Sequence, residues 1–406
     1  MHRNTWSIGG LQQRLFIVLA ALLLCAPLIA QVAGLSPPRP DENRALAPIP
    51  ALPSGFSALA GWTQAMDAYV KDHFGLRGLL VNLNDRLLFR VFGAFASPQV
   101  MLGRDGRVFL TSHGAGEATR NNLIQQSCGF AISEAVLSAA SASMEEFLLR
   151  SANALRGAHP GLHPDVRVVS VPTSASLYTE VLPRWLARQC ATSTPPGRAL
   201  IDRLNPALRS RFIDTTAIMR DVEREAPAIP RRNFHWDGIA PVRVAEFLAE
   251  EVLRRPRALT LSGRNITRRS DISQFFPGVS LTDTVFSPDY GAAGVTPCLG
   301  APCFPALGDV GPILQDMRRY TGPAPDGRLL LITDSFGAIV AGAFSQQFQE
   351  VWQISINNFT RLDPEQRAKL RQVLLEEYRP DTMLMLFHDA TAFGAGGLLK
   401  AVFYPD

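Results

Sequence analysis

The chain has 406 residues, 47% of them hydrophobic and 19% charged, and 40 basic against 36 acidic side chains leave a net charge of +4. That is enough chain and enough apolar content for one large or two smaller globular domains with a sizeable core. Acids and bases are interspersed with no long basic run or aromatic-basic ladder, so nucleic acid is not an expected partner.

The amino terminus sets the compartment. Residues 1–14 carry Arg3 and Arg14, and Leu15 to Leu35 is an uncharged, mostly apolar run close to the length that spans a bilayer. No acid precedes Asp41. The positive-inside rule therefore puts residues 1–14 in the cytoplasm, makes 15–35 a transmembrane anchor and exports the rest. A signal sequence cut near Ala30 or Ala33 is the competing reading. Cys25 sits in Leu-Leu-Leu-Cys-Ala without the small residue that a lipidation site wants before its cysteine. The other four cysteines lie beyond the span, and an even number in an exported chain points to disulfides. The expected pairs are Cys128 with Cys190 and Cys298 with Cys303. A zinc site is the alternative, disfavoured by spacing that is not Cys-x-x-Cys; no metal is expected.

Residues 36–98 read as a proline-rich linker followed by a helical segment, with apolar residues at helical spacing from Phe56 to Phe74 and again from Leu79 to Phe92. Residues 99–406 form the main domain. It opens on a hairpin around Asp105-Gly106. Strands and helices then alternate. Helices are predicted at 132–155, 240–253, 338–348 and 364–377, and strands at 166–171, 212–214, 329–332, 351–356 and 383–387. Alternation of this kind predicts an α/β fold with a mostly parallel sheet covered on both faces. Residues 264–310, rich in Gly, Pro, Ser and Thr, break the pattern and read as a loop-rich insertion.

The segment Thr333-Asp334-Ser335-Phe336-Gly337 leaves the apolar run Leu329 to Ile332 at a turn. Ser335 therefore stands at the carboxyl end of a strand, where open α/β sheets bind ligands. The backbone amides of Ser335 to Gly337 would offer oxyanion donors at the start of the next helix. An Asp-Ser helix cap is the alternative reading of the same residues. About a hundred residues upstream, His235 in Phe234-His235-Trp236 is the candidate base for Ser335; His388, at the end of the last predicted strand, competes for that role. Asn357 and Asn358 follow the strand after Ser335, and Asn358 is a candidate oxyanion donor. Trp236, Tyr178 and Arg231 are candidates for lining a substrate cleft.

Several segments occur in the order of a known family. They are Glu42-Asn43-Arg44, Asp72 to Arg77 (Asp-His-Phe-Gly-Leu-Arg), Gly103 to Phe109, Val171-Pro172 with Tyr178 and Leu182-Pro183, Phe234-His235-Trp236, and Thr333 to Phe336. On these residues the chain resembles the alginate O-acetyltransferase J/X family, closer to the membrane-anchored J type because no carbohydrate-binding module follows the last strand. The resemblance implies an SGNH hydrolase-like three-layer α/β domain. It implies a periplasmic location at the inner membrane and O-acetylation of an exopolysaccharide. Ser335 would be the nucleophile and His235 its base, with acetyl groups supplied by a membrane O-acyltransferase partner and no cofactor. Asp334 and Gly337 belong to the nucleophile motif, and Glu42, Arg44, Asp72 and Arg77 match family positions read as ion pairs.

Two residues depart from the family pattern. Thr333 stands where Gly is usual, which would restrict the turn. Asn233 stands where the family's triad aspartate is expected. Asp-to-Asn at such a position costs about 10⁴ in turnover in a serine protease, or about 5 kcal/mol of barrier. Asn233 therefore orients His235 as a neutral partner, or Asp237 or Asp389 substitutes, or the protein binds glycan with weak turnover or none. The functional expectation is an exported O-acetyltransferase. A carbohydrate esterase with the same Ser-His site, and a non-catalytic glycan-binding subunit of a secretion complex, are the alternatives.

Overall fold

The computed structural model describes residues 8–33 and 46–405, apart from 113, 115, 117–118, 131, 159–160, 162 and 257–260. Glu42 and Arg44 lie outside the described residues. Two compact units are present, one of residues 1–97 with 272–280, the other of residues 98–271 with 281–406.

In the first unit the apolar amino-terminal run forms the helix Ile8–Val32. Its stretch Gln12–Gln31 is long and apolar enough to cross a membrane and is almost wholly exposed. It begins and ends a few residues earlier than the predicted span. The helices Leu59–His73 and Arg77–Leu87 follow, and Leu88–Phe92 extends the second by one wider turn. Asp72 Oδ2 accepts the Ala47 N–H at 2.8 Å.

The second unit holds eleven strands among the described residues: β1 (Val100–Leu102), β2 (Val108–Leu110), β3 (Asp165–Val171), β4 (Phe212–Asp214), β5 (Gly263–Arg269), β6 (Thr282–Pro288), β7 (Thr296–Leu299), β8 (Met317–Thr321), β9 (Arg328–Thr333), β10 (Glu350–Ser355) and β11 (Thr382–His388). Seven build the main sheet in the order β4-β3-β11-β9-β10-β8-β7. From β4 to β10 all neighbours are parallel, while β8 runs antiparallel to β10 and to β7. β1 pairs β2 as the predicted hairpin, and β5 pairs β6 as a second, unpredicted one.

β9 lies inside the sheet, between β11 and β10, which is why its sequence is a continuous apolar run rather than an alternating one. Alternate residues along the strands sort to the two faces. Leu330, Ile332, Met383, Met385 and Ile354 pack with Met144, Phe147 and Leu148 of the helix Glu134–Ala158 and with Leu399 and Phe403 of the helix Asp389–Phe403. The opposite face carries the helix Ser335–Phe344, packed against β9, β10 and β11 and against the helix Ile239–Phe247. This is a mixed α/β architecture with a mostly parallel sheet between helical layers, as predicted. Burial of these side chains, each contributing about 1.5–3 kcal/mol, holds β9 and the turn that follows it.

Region 264–310 is not a structureless insertion. It supplies most of the β5–β6 hairpin and the strand β7, which closes one edge of the main sheet. Cys128–Cys190 and Cys298–Cys303 are bonded, with Cα atoms 5.0 Å and 5.8 Å apart, and Cys25 is free and exposed.

Candidate active site

Ser335 is the first residue of the helix Ser335–Phe344, directly after β9. Asp334 caps that helix, accepting the Phe336 N–H at Oδ1 (3.0 Å). Its other oxygen accepts the backbone N–H of His388 at the end of β11 (2.9 Å). One buried carboxylate thus ties the turn at Ser335 to the neighbouring strand end. Burial pushes the Asp334 carboxyl up to about 6, against the pull of the two N–H donors. The cap is Asp334, so the Ser335 hydroxyl is not needed to start the helix.

The imidazole of His235 reaches Ser335. Its Nε2 lies 2.8 Å from Ser335 Oγ. On the far side of the ring, Nδ1 lies 2.6 Å from Asp271 Oδ2. The network fixes the tautomer, with Nδ1–H donating to the carboxylate and Nε2 accepting from the serine hydroxyl. Asp271 also accepts the backbone N–H groups of Phe234 at Oδ1 and His235 at Oδ2, both at 2.9 Å. Its carboxylate therefore orients the ring and the strand of chain that carries it. The rings of Phe234 and Phe336 stand 4.9 Å and 5.2 Å from the imidazole and flank it. The His235 and Asp271 side chains remain 25% and 29% exposed, so solvent and substrate can reach them.

Several expected roles change. Asn233 does not orient His235; its Oδ1 instead accepts the Asp271 backbone N–H at 3.3 Å, so it steadies the residue that does. Neither proposed substitute reaches His235: Asp237 pairs with Arg268 at 3.0 Å, and Asp389 accepts from Ser176. His388 is not the base, because its ring is engaged with Thr391 and faces the buried Asp334. The amides of Phe336 and Gly337 are taken, by the Asp334 side chain and by the Asp334 carbonyl (3.2 Å). Among the described residues only the Ser335 N–H of that trio carries no hydrogen bond. Asn358 is turned away, with its Nδ2 donating to the Leu314 carbonyl at 3.5 Å.

Neither aromatic candidate can stack on a sugar. Trp236 is completely buried and its Nε1–H donates to the Phe336 carbonyl at 2.9 Å, holding the turn after Ser335 from below. Tyr178 is buried, pairs with Glu223 through its hydroxyl, and lies under the Arg107 guanidinium at 3.5 Å; burial pushes its phenol well up. Arg231 does line a cavity, of about 400 Å³, together with Asp237, Asn265, Asp283 and Phe286. No group of three or more His, Cys, Asp or Glu side chains among the described residues is arranged to hold a metal ion.

Two predictions concern this scaffold. Replacing Trp236 by Phe removes a second hydrogen bond from the Phe336 carbonyl, which keeps its helical partner, and is expected to cost about 0.5–1.5 kcal/mol in denaturant unfolding. The second follows from Asp389, whose carboxyl burial pushes up to about 7. A carboxyl raised in the folded state favours folding below its unfolded value, near 4, and loses that contribution as pH rises through the folded one. Between pH 5 and pH 8 the native chain is therefore expected to lose about 2–3 kcal/mol relative to Asp389→Asn. Parallel unfolding curves for the two proteins would contradict it.

No family model and no curated protein matches the chain. Solved structures with a similar course include a DHHW family protein from Eubacterium siraeum, 15% identical, covering 65% of this chain and 88% of that one, with a TM-score of 0.46. Bacillus cereus PatB1 with a sulfonyl adduct is 10% identical over 72% of this chain and 97% of that one, with a TM-score of 0.41. The O-acetyltransferase domain of Pseudomonas putida AlgJ is 14% identical over 74% and 98%, with a TM-score of 0.39. At that distance the likeness assigns no activity.

Proposed function

We propose that this protein is an exported, membrane-anchored serine O-acyltransferase that acetylates a cell-envelope or exopolysaccharide glycan. The observation that carries this reading is the relay Asp271–His235–Ser335, with contacts of 2.6 Å and 2.8 Å. The family resemblance of the ordered sequence segments supports the acyl group and the glycan.

In this reading Ser335 Oγ attacks the acetyl carbonyl of the donor while its proton passes to His235 Nε2. The imidazolium that forms is stabilised by the Asp271 carboxylate and returns the proton to the departing donor group. Ser335 now carries the acetyl ester. A sugar hydroxyl then attacks, giving its proton to His235, and Ser335 leaves with that proton as the acetylated sugar departs. The Ser335 N–H, at the positive end of its helix, is the amide available to the tetrahedral oxyanion. Arg231 and Asn265, on the cavity beside the His235 loop, replace Trp236 and Tyr178 as side chains offered to the acceptor. The helix Ile8–Val32 and the two disulfides support export to an oxidising compartment, which this reading places in the periplasm, with a membrane O-acyltransferase as acetyl supplier.

The test separates transfer from hydrolysis. Purified protein is given an activated acetyl ester with and without oligosaccharide, and products are read by mass spectrometry. Acetylated sugar and a trapped acetyl group on Ser335 are expected, both absent in Ser335→Ala. Acetate alone would make the protein an esterase. Undiminished transfer by Ser335→Ala would remove the mechanism.

A further inference from the structure

The first unit contains a helix with a row of exposed leucines. Leu79, Leu80, Leu83, Leu87 and Val91 recur at helical spacing along Arg77–Leu87 and its extension, and they are 43% to 62% exposed. Phe92, which ends the extension, is 70% exposed. The opposite side, with Val81, Asn82, Asp85, Leu88 and Phe89, is the one that packs. Asp85 is buried and accepts the Gly278 N–H at 3.3 Å, while Arg86 Nε donates to the Gly278 carbonyl at 2.9 Å. A Cβ on Gly278 would stand 2.2 Å from the Asn82 carbonyl oxygen, so the two backbones touch there. An amphipathic helix in a water-soluble unit buries its apolar stripe; this one packs Val81, Asp85, Leu88 and Phe89 inward and leaves a second apolar row of leucines outside, an arrangement that suits an apolar neighbour.

The neighbour is indicated by where the helix begins. The apolar helix Ile8–Val32 packs its last turns on Gly75, two residues before Arg77. A Cβ on Gly75 would lie 2.3 Å from the Pro27 carbonyl oxygen and 2.6 Å from the Gln31 nitrogen. The chain thus passes from the end of a membrane-length helix to the start of the leucine stripe within one unit. Arg77, Arg86 and Arg90 border the stripe, and Asp85, the acid of this helix, is turned inward. Leucines flanked by arginines are what a helix lying in the headgroup layer of an anionic membrane presents. We propose that the segment Arg77–Phe92 lies flat on the lipid bilayer, leucines toward the acyl chains, beside the helix that crosses it. This would add a second membrane contact to the anchor and fix how the first unit meets the surface.

Site-directed spin labelling of the full chain tests this, in vesicles of phosphatidylethanolamine and phosphatidylglycerol. Three single-label proteins are made. One carries the nitroxide at the native Cys25, as a report on the span; two carry it at Leu83→Cys or Leu87→Cys with Cys25→Ser. Thr360→Cys, exposed in the second unit, is the aqueous control. Accessibility to oxygen relative to a water-soluble nickel chelate is expected to be several-fold higher at 83 and 87 than at 360, and highest at 25. Lipid-like values at 25 with aqueous values at 83 and 87 would overturn the proposal and leave the anchor intact. Aqueous values at 25 as well would remove the bilayer from both. Broadening at 83 that vanishes on dilution with unlabelled protein would assign the stripe to a second copy of the chain and likewise overturn it.

Discussion

Replacing Asp271 by Asn is expected to lower acetyl transfer about 10⁴-fold, the loss seen when a triad aspartate is neutralised. The geometry explains why the effect concentrates here. The carboxylate holds His235 Nδ1–H at 2.6 Å and two backbone amides besides. An amide in its place can accept at one atom only. It presents either an oxygen to one donor or an NH₂ to the imidazole, which then exposes Nε2–H to the serine and cannot take its proton. The fold should survive, because Asp271 is part-exposed and its main-chain tie to Asn233 remains. Asn233→Asp is the informative companion. If Asn233 were the orienter, a carboxylate there would raise activity. With Asp271 already at Nδ1, Asn233→Asp brings a second carboxylate close to the first and is expected to leave turnover level or lower it. Rates for the two variants, measured on the same acceptor, decide between the assignments. A rise with Asn233→Asp and little change with Asp271→Asn would overturn the relay.

The placement of Ser335 was legible because it depends on local pattern, whereas His235 rested on the resemblance of Phe234-His235-Trp236 to a family segment. An apolar run followed by Asp-Ser places a residue at a strand end whatever the rest of the chain does, and β9, β10 and β11 fall within a residue or two of their predicted bounds. The cysteine pairs were legible from compartment and spacing. The acid was not. Asp271 reaches His235 only because β5 and β6 fold into a hairpin that brings the end of β5 beside residues 233–235, and nothing near Asp271 distinguishes it from the other aspartates between His235 and Ser335. The resemblance points to Asn233 because its pattern sets the acid two residues before the histidine. The aromatic candidates failed for another reason. Trp and Tyr serve equally as core and as sugar platform, and only burial separates the two, so Trp236 beneath the nucleophile turn and Tyr178 under Arg107 could not be told from cleft residues in advance. The strand-to-helix pattern offers the amides after Ser335 as oxyanion donors but does not reveal that the Asp334 carboxylate takes one of them.

Gly337→Ala is expected to reduce transfer at least about 10²-fold and to destabilise the domain, through a single methyl group placed against β9. A Cβ at 337 would stand 2.0 Å from Thr333 Cγ2, 2.2 Å from its Cβ and 2.8 Å from its Oγ1. Thr333 cannot turn aside. It is β-branched and stiff about χ1, it lies in register with Leu386 of β11 and Ser355 of β10, and its hydroxyl accepts from Gln353 Nε2 at 3.0 Å. The helix must therefore lift from the strand. Ser335 sits in its first turn, and a displacement of about 1 Å at a reacting atom is enough for a 10²-fold loss; overpacking of this kind adds about 1–3 kcal/mol of instability. Threonine is accommodated at 333 because residue 337 of the following helix has no side chain, so helix and strand approach closely with the side chain on the strand alone. Thr333→Gly combined with Gly337→Ala should then recover most of the lost rate while remaining less stable than the native chain, since Gln353 loses its acceptor in the core. Kinetics and unfolding of the single and double variants read the two effects separately. A double variant as slow as Gly337→Ala would show that the methyl acts on something other than Thr333.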